Sequence, residues 1–377
     1  MSSLFIGLMS GTSLDGIDGV VVEFDGTGDM TGLRILAHAR RDFNPTRRAE
    51  LAALNRSGDD EIHRGALAAN ALARDYAALV ETLLAGASRG REAIVAIGCH
   101  GQTIRHRPGE FDGTGYTVQL NAPALLAELS GIDVIADFRS RDLAAGGQGA
   151  PLVPAFHRAI FGRAKKTVAV LNLGGIANLT VIGGAGETIG FDCGPANALL
   201  DLWCERSSGR PFDAEGAAAA RGHVDQRLLD ALLAEPFFGL PPPKSTGLDL
   251  FNARWLDRRL DQADARARLR PEDIQATLAE LTARVVSEAH RRHAAAAIEL
   301  VVCGGGARNV DLMRRLADAL APMPVVASGT RGLPEDQVEA AAFAWLARAF
   351  LARSPGNIPA ATGAAGPRVL GALYPAG

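Results

Sequence analysis

No apolar stretch in the 377 residues approaches the roughly 18 needed to cross a bilayer, so a membrane-spanning helix is not expected. An excess of one charge is missing as well: 39 Lys and Arg stand against 42 Asp and Glu, a formal net charge of −3. Without a strongly basic surface, composition gives no support for nucleic-acid binding. Cysteine is scarce. Cys99, Cys193, Cys204 and Cys303 lie far apart and form no Cys-x-x-Cys pair, which argues against structural zinc and fits free thiols in a reducing compartment. Residues 1–10 lack a basic start and run straight into a glycine-rich turn, so no signal peptide is expected. There is no low-complexity segment, and the alanine run at 217–220 reads as helix rather than linker.

What is present is enough apolar sequence for a core. Hydrophobic residues make up 47% and charged residues 21%, in a chain long enough for two units of ordinary domain size. Strand-like and helix-like patterns alternate, which indicates an α/β protein. Leu72, Tyr76, Leu79, Val80 and Leu83 share one helix face, and Ile94–Ile97 reads as the strand that follows. Ile274, Leu278, Leu281 and Val285 mark a second helix, with Pro271, Glu272 and Asp273 at its start, where acidic side chains complement the dipole.

The chemistry concentrates in turns. Phe5–Met9 and Ile17–Val22 are apolar runs flanking Ser10-Gly11-Thr12-Ser13-Leu14-Asp15-Gly16, a β-hairpin signature. Gly11 and Gly16 let backbone approach a ligand. Ser10, Thr12 and Ser13 add donors, and Asp15 and Asp18 add hard oxygens suited to magnesium. The stretch Gly11, Thr12, Ser13, Leu14, Asp15, Gly16, Ile17 and Asp18 is therefore read as a clamp for nucleotide phosphates, the alternative being a hairpin that is merely tight. Val168–Leu173, Gly174-Gly175 and Ile176–Ile182 repeat the theme, with Asn172 and Asn178 as polar groups. A third cluster, Gly304-Gly305-Gly306-Ala307-Arg308-Asn309, follows the strand-like Ile298–Cys303 and precedes a helix spaced by Val310, Met313, Leu316 and Leu320. Strand, glycines and helix suit a nucleotide, although the Gly-x-Gly-x-x-Gly spacing is absent.

Other polar residues stand at strand ends. Asp192 lies between glycines in Gly190-Phe191-Asp192-Cys193-Gly194-Pro195-Ala196-Asn197, where a carboxylate can act as a base; a turn or cap aspartate fits the same letters. Pro195 is expected to open a helix from Ala196 to Trp203. His100 and Gln102 follow a strand, and Arg139 lies in Asp137-Phe138-Arg139-Ser140-Arg141-Asp142, where pairing with the flanking aspartates is an equal possibility. Lys244 follows three prolines and is expected to be solvated unless it meets a ligand. Glu339 is expected on a solvated helix face, the alternative being a side chain that faces the metal or water. Trp203, Trp255 and Trp345 read as core or interface.

Taken together, these strings resemble the sugar kinase, heat-shock chaperone and actin superfamily, and more narrowly the anhydro-N-acetylmuramic acid kinase family. GLMSGTSLDGID, HGQTIRH, DFRSRDLAAGGQGAPLVP, NLGGIANLT, GFDCGPAN, PPPKSTGLDLFN, CGGGARN and GNIPAATGAAGPRVLGALYP carry the resemblance from near the N-terminus to the last residues. It implies a two-lobed actin-like ATPase fold with duplicated RNase H-like domains around a central cleft. The first lobe is expected over 1–135, with a tail at 360–377 returning to it, and the second over 136–359; the small residues near 133–149 would absorb a hinge motion. The implied activity is ATP-dependent hydrolytic opening of 1,6-anhydro-N-acetylmuramic acid with phosphorylation of O6, as a step in recycling bacterial cell-wall sugars.

The resemblance also distributes roles. Asp192 becomes the base that activates water. ATP would be held by the first hairpin, by Asn172, Gly174 and Gly175, and by Gly304, Gly305, Gly306 and Asn309. Sugar would be held by His100, Gln102, Arg139 and Asn197, with Arg139 for its lactyl carboxylate. Magnesium would be held by Asp15 and Asp18 through water. Two departures stand out: Cys193 replaces the family's threonine and is not read as a nucleophile, and Leu248 and Asp249 replace an arginine–glutamate pair, so no role of that arginine carries over. A cytoplasmic homodimer acting on a small molecule is implied, with no nucleic-acid or membrane partner. Rival readings are another sugar kinase without ring opening and a non-catalytic nucleotide-dependent binder.

Overall fold

The first apolar run forms β1, Ser3–Ser10, in a computed structural model that describes residues 2–11, 13–25, 32–247 and 249–377. Leu4 through Leu8 are all buried, so both faces of the strand are covered, as an unbroken apolar run requires. Chain reversal at Gly11–Asp15 leads into β2, Gly16–Phe24, and then β3, Leu33–Asp42, giving an antiparallel meander. On its other edge β1 pairs in parallel with β4, Ile94–Pro108, and β4 with β6, Val134–Ala136. β5, Gly115–Leu120, folds back on the far end of β4, and β12, Ala372–Tyr374, closes the sheet against β6. The order is β12-β6-β4-β1-β2-β3.

The second sheet follows the same plan. β7, Thr167–Leu173, β8, Ile176–Ile182, and β9, Thr188–Pro195, form a meander. β7 then pairs in parallel with β10, Ala297–Cys303, and β10 with β11, Val325–Ala327, for the order β11-β10-β7-β8-β9. Three antiparallel strands followed by two parallel ones thus occur twice, the duplicated RNase H-like plan of the actin-like ATPase fold.

The helices expected from periodicity are present. Glu61–Ala87 buries Leu72, Tyr76, Leu79, Val80 and Leu83. Pro271–His293 buries Ile274, Leu278, Leu281 and Val285, with Pro271 in its first turn. Ala217–Arg221 is helical. Two details differ. Pro195 does not open a helix; it ends β9 opposite Ile176, and the helix runs Asn197–Ser208. In the helix Val310–Leu320, Val310 is exposed and Leu312 takes the inward position, because Asn309 caps the helix and sets its phase.

By contacts, residues 1–160 with 337–377 form one unit and 161–336 the other. The division therefore falls later than the expected 135/136, and the returning segment starts at 337 rather than 360. Glycine explains the return. A Cβ on Gly7 would lie 1.9 Å from the Ala340 carbonyl oxygen, and one on Gly98 2.0 Å from that of Phe343. Only bare backbone lets the alanine-rich helix Val338–Leu351 sit directly on β1 and β4. Phe156 meets Trp345 edge-on at 6.2 Å, which ties the helix Val153–Phe161 to the same packing.

Candidate active site

In the first unit the hairpin turn is held from beneath. Gln102, fully buried on β4, accepts from the Ser10 hydroxyl and donates to the carbonyls of Gly11 (3.0 Å) and Thr103 (3.1 Å). Both amide hydrogens are spent, so Gln102 braces the turn rather than reaching outward. Leu14, at φ 56°, and Ile17 turn their side chains into the core, leaving only backbone for a ligand. Ser13 donates to Asp15 at 2.7 Å. Thr12, expected in this clamp, lies outside the described residues.

Asp15 and Asp18 share one guanidinium. Arg40 lies opposite Asp18 in the β2–β3 register, 2.9 Å from Asp15 and 3.6 Å from Asp18. His38 stands 3.6 Å from the other Asp18 oxygen. Burial opposes ionisation of Asp15, but the hydrogen bonds from Ser13 and Arg40 outweigh it and hold the carboxyl below its ordinary value. Among the described residues no group of three or more His, Cys, Asp or Glu is arranged as a metal cage. Two partly exposed carboxylates instead suit a magnesium ion that keeps waters and takes its remaining ligands from phosphate.

His100 and Arg139 come together in this unit. Arg139 donates through Nε (3.1 Å) and a terminal nitrogen (2.9 Å) to His100 Nε2, and through its other terminal nitrogen to the Gly149 carbonyl at 2.7 Å. A guanidinium can only donate, so Nε2 is the acceptor and the imidazole proton sits on Nδ1. Burial first, then the Arg139 charge, push His100 down to about 3; it is neutral at physiological pH. Burial also pushes Arg139 down to about 10, against Glu339 and Asp142. Arg139 therefore makes no close pair inside 137–142, and Glu339 is half-buried within its field rather than solvated.

Behind Arg139 is a buried carboxylate that sequence reading missed. Asp142 accepts from Asn357 (2.6 Å), the Thr362 hydroxyl (2.8 Å) and the Gly149 N–H (2.8 Å). Bonds therefore run continuously from the tail motif through Asp142 and Gly149 to Arg139 and His100. The stretch expected to be a hinge lies inside the first unit and carries these bonds.

In the second unit β8 and β9 present Asn178 and Asp192 opposite each other. Asn178 donates to one Asp192 oxygen at 2.7 Å, and the Thr246 backbone N–H donates to the other at 2.8 Å. The Asp192 N–H in turn donates to the Lys244 carbonyl at 3.0 Å, so the 244–246 segment grips the residue from both ends. Burial pushes the carboxyl up to about 6, although Asn178, Thr246 and the Lys244 charge act the other way. This is a fixed carboxylate whose proton affinity lies near neutrality. Neighbouring Cys193 is buried, and burial pushes its thiol well up, so it presents no thiolate.

The remaining predicted residues cluster at one end of this sheet. Gly174 and Gly175 form the β7–β8 turn, and their carbonyls accept from the N–H groups of Asn197, Ala196 and Ala198. The Asn197 side chain donates to the Leu173 carbonyl at 3.0 Å. Gly304, at φ 81°, lies so close that a Cβ would stand 2.4 Å from the Asn172 amide oxygen. Gly306 packs as tightly on Leu173, and Asn309 accepts from the Leu312 N–H as a helix cap. Asn172, Gly174, Gly175, Asn197 and Gly304–Gly306 are thus assembled in one place. Lys244 is not solvated: only 9% exposed, it donates to the carbonyls of Phe237 and Phe238. Trp255 and Trp345 are core residues, and Trp203 packs against the core while donating to the Pro271 carbonyl. Leu248 lies outside the described residues.

The family model described as anhydro-N-acetylmuramic acid kinase matches residues 3–376. Curated proteins of that name are similar over their whole length. One from Bordetella petrii is 59% identical over 374 residues, covering 99% of this chain and 96% of that one. One from Albidiferax ferrireducens is 55% identical over 396 residues, covering 100% of both. Among solved structures, the activator of 2-hydroxyisocaproyl-CoA dehydratase from Clostridium difficile is 13% identical, covering 91% of this chain and 93% of that one, at a TM-score of 0.46. That likeness is too remote to bear on the chemistry.

Proposed function

The chain belongs to the anhydro-N-acetylmuramic acid kinase family, and we propose that it uses water and ATP to convert 1,6-anhydro-N-acetylmuramic acid to N-acetylmuramic acid 6-phosphate and ADP. The observation that carries the mechanism is Asp192: a carboxyl pushed up to about 6, with each oxygen oriented by its own N–H donor. Asp192 takes a proton from water as the water oxygen bonds to the anomeric carbon. The bond from that carbon to O6 breaks. O6 then bonds to the γ-phosphorus while the bond to the β-phosphate oxygen breaks, and ADP leaves. A base with a pKa near the working pH is suited to this role, because it is ionised yet still binds a proton.

The other residues position charge rather than share electrons. Backbone at Gly11, Ser13 and Gly16, with Thr12, would meet phosphate, as would Gly174 and Gly175. Asn172, Gly304–Gly306 and Asn309 would border the nucleoside. Magnesium would be held by Asp15 and Asp18 and would neutralise phosphate charge. Arg139 would receive the lactyl carboxylate beside neutral His100, with Asn197 as a further sugar contact; Gln102 is assigned to bracing the turn. No helix among the described residues is long and apolar enough to cross a membrane. We place the protein in the cytoplasm, as a homodimer acting in cell-wall sugar recycling.

Asp192→Asn tests the assignment. Nucleotide binding by calorimetry should persist, while turnover of the anhydro sugar falls by about 100-fold or more. Near-normal turnover would remove Asp192 as the base.

A further inference from the structure

On the far side of β9 from Asp192 lies a cavity of about 510 Å³, contained within the second unit. Phe191 and Cys193, the residues flanking Asp192, form its floor. Its walls come from the last turns of the helix Pro271–His293 and from the corner that carries Phe238. The volume falls in the range of small-molecule sites, roughly 300–1,000 Å³.

Its charge is uneven. Lys244, Arg284, Arg291 and Arg292 line it against Glu235 and Glu288. Glu235 is committed elsewhere, to Arg259 at 3.0 Å and the Trp255 indole at 2.7 Å. Glu288 lies 2.8 Å from Arg292 and 3.7 Å from Arg291, and Arg284 is paired outside the cavity to Glu280 at 2.8 Å, so the excess positive charge rests on Lys244 and on an Arg291–Arg292 pair sharing one carboxylate. Lys244 is the unusual member. It is buried, rests over the Phe237 ring at 4.7 Å, and has two carbonyl oxygens but no carboxylate within 4 Å among the described residues. Burial foremost, and Arg292 after it, press its ammonium below the ordinary lysine value. Asp192 acts on it only from beyond 4 Å, which compensates a buried cation in part, and an anion from outside would add to that. The floor is apolar and aromatic, so an inorganic ion alone would leave most of the cavity unfilled.

We propose that this cavity is a second binding site, for a small organic phosphate whose anionic group sits against Lys244 and the arginines at the mouth. The link to the reaction is short. The Lys244 carbonyl accepts from the Asp192 N–H, and two residues on, the Thr246 N–H donates to the Asp192 carboxylate. An occupant drawn against Lys244 therefore acts on the base, a consequence that rests on the assignment of Asp192 above.

The test is calorimetry with glucose 6-phosphate and, separately, inorganic phosphate, on full-length protein whose nucleotide site is saturated with a non-hydrolysable ATP analogue. Glucose 6-phosphate should bind saturably at one site. The double variant Arg284→Ala, Arg292→Ala, in which both side chains are half-exposed, should weaken it about tenfold. Lys244→Met should do the same if it folds; the arginine variant decides if it does not. Absence of saturable binding, or affinity untouched by the arginine variant, would overturn the site. Inorganic phosphate binding as tightly as the sugar phosphate would overturn the organic ligand. The acid limb of the turnover profile, measured with and without glucose 6-phosphate, should shift. Binding with no acid limb at all would count against Asp192 as base and leave the site standing, whereas a limb near 6 without binding would do the reverse.

Discussion

Asp192 is burdened by its own setting. Its carboxyl ionises near 3.8 in an unfolded chain and near 6 in the folded one, chiefly because it is buried. Between those values the folded state holds more protons, so stability falls as pH rises through that interval and stays lower above it. A rise of that size costs at most about 3 kcal/mol. Asp192→Asn removes this penalty but leaves a single oxygen for the two donors, Asn178 and Thr246. The variant is expected to melt above wild type at about pH 8, with the advantage vanishing toward about pH 4; a constant difference across that range would mean that the carboxylate is not strained. Turnover should rise with pH through about 6, because the base works only when ionised.

Asp15 and Asp18 make a different demand. Their shared partner, Arg40, was not legible in the sequence, because only the β2–β3 register places it opposite Asp18. Asp15→Ala is expected to raise the magnesium needed for half-maximal turnover, and an unchanged requirement would contradict its role. The hairpin itself was legible, since two apolar runs flank a glycine-rich stretch. The bonds of the Gln102 amide to Ser10 and Gly11, 92 and 91 positions away, were not legible, because no local pattern records them.

Periodicity read the elements better than it read their ends. The helices Glu61–Ala87 and Pro271–His293 bury the residues their spacing named. Pro195 misled because a proline after glycine looks like a helix start, whereas at the end of β9 it needs no ladder donor. The tie between Asp142 and the tail was invisible, since it joins positions 215 and 220 residues apart. It has a measurable consequence. Thr362→Val removes one of three donors to a buried carboxylate and loosens Gly149, on which Arg139 rests. The KM for sugar should rise several-fold with the KM for ATP unchanged, and Thr362→Ser should restore it. Equal effects on both substrates would point to general destabilisation instead.

At the scale of the chain, duplication was readable because each unit repeats strand, glycine turn and strand. The extent of the first unit was not. It depends on Gly7 and Gly98 receiving a helix that begins more than 300 residues after Gly7, and local sequence carries no record of that contact. Removing residues 337–377 should therefore expose residues 1–160 to limited proteolysis while 161–336 resists, because β1 and β4 lose the cover of one face. Resistance of both segments would show that the helix is dispensable.

All of this converges on the identity of the nucleophile at the anomeric carbon. Turnover in water enriched in heavy oxygen, followed by mass analysis of the sugar phosphate, identifies it directly. Label on the anomeric hydroxyl and none on the phosphate is the expected result. An unlabelled anomeric oxygen, corrected for spontaneous exchange, would contradict water activation by Asp192 and leave only direct transfer to an existing hydroxyl.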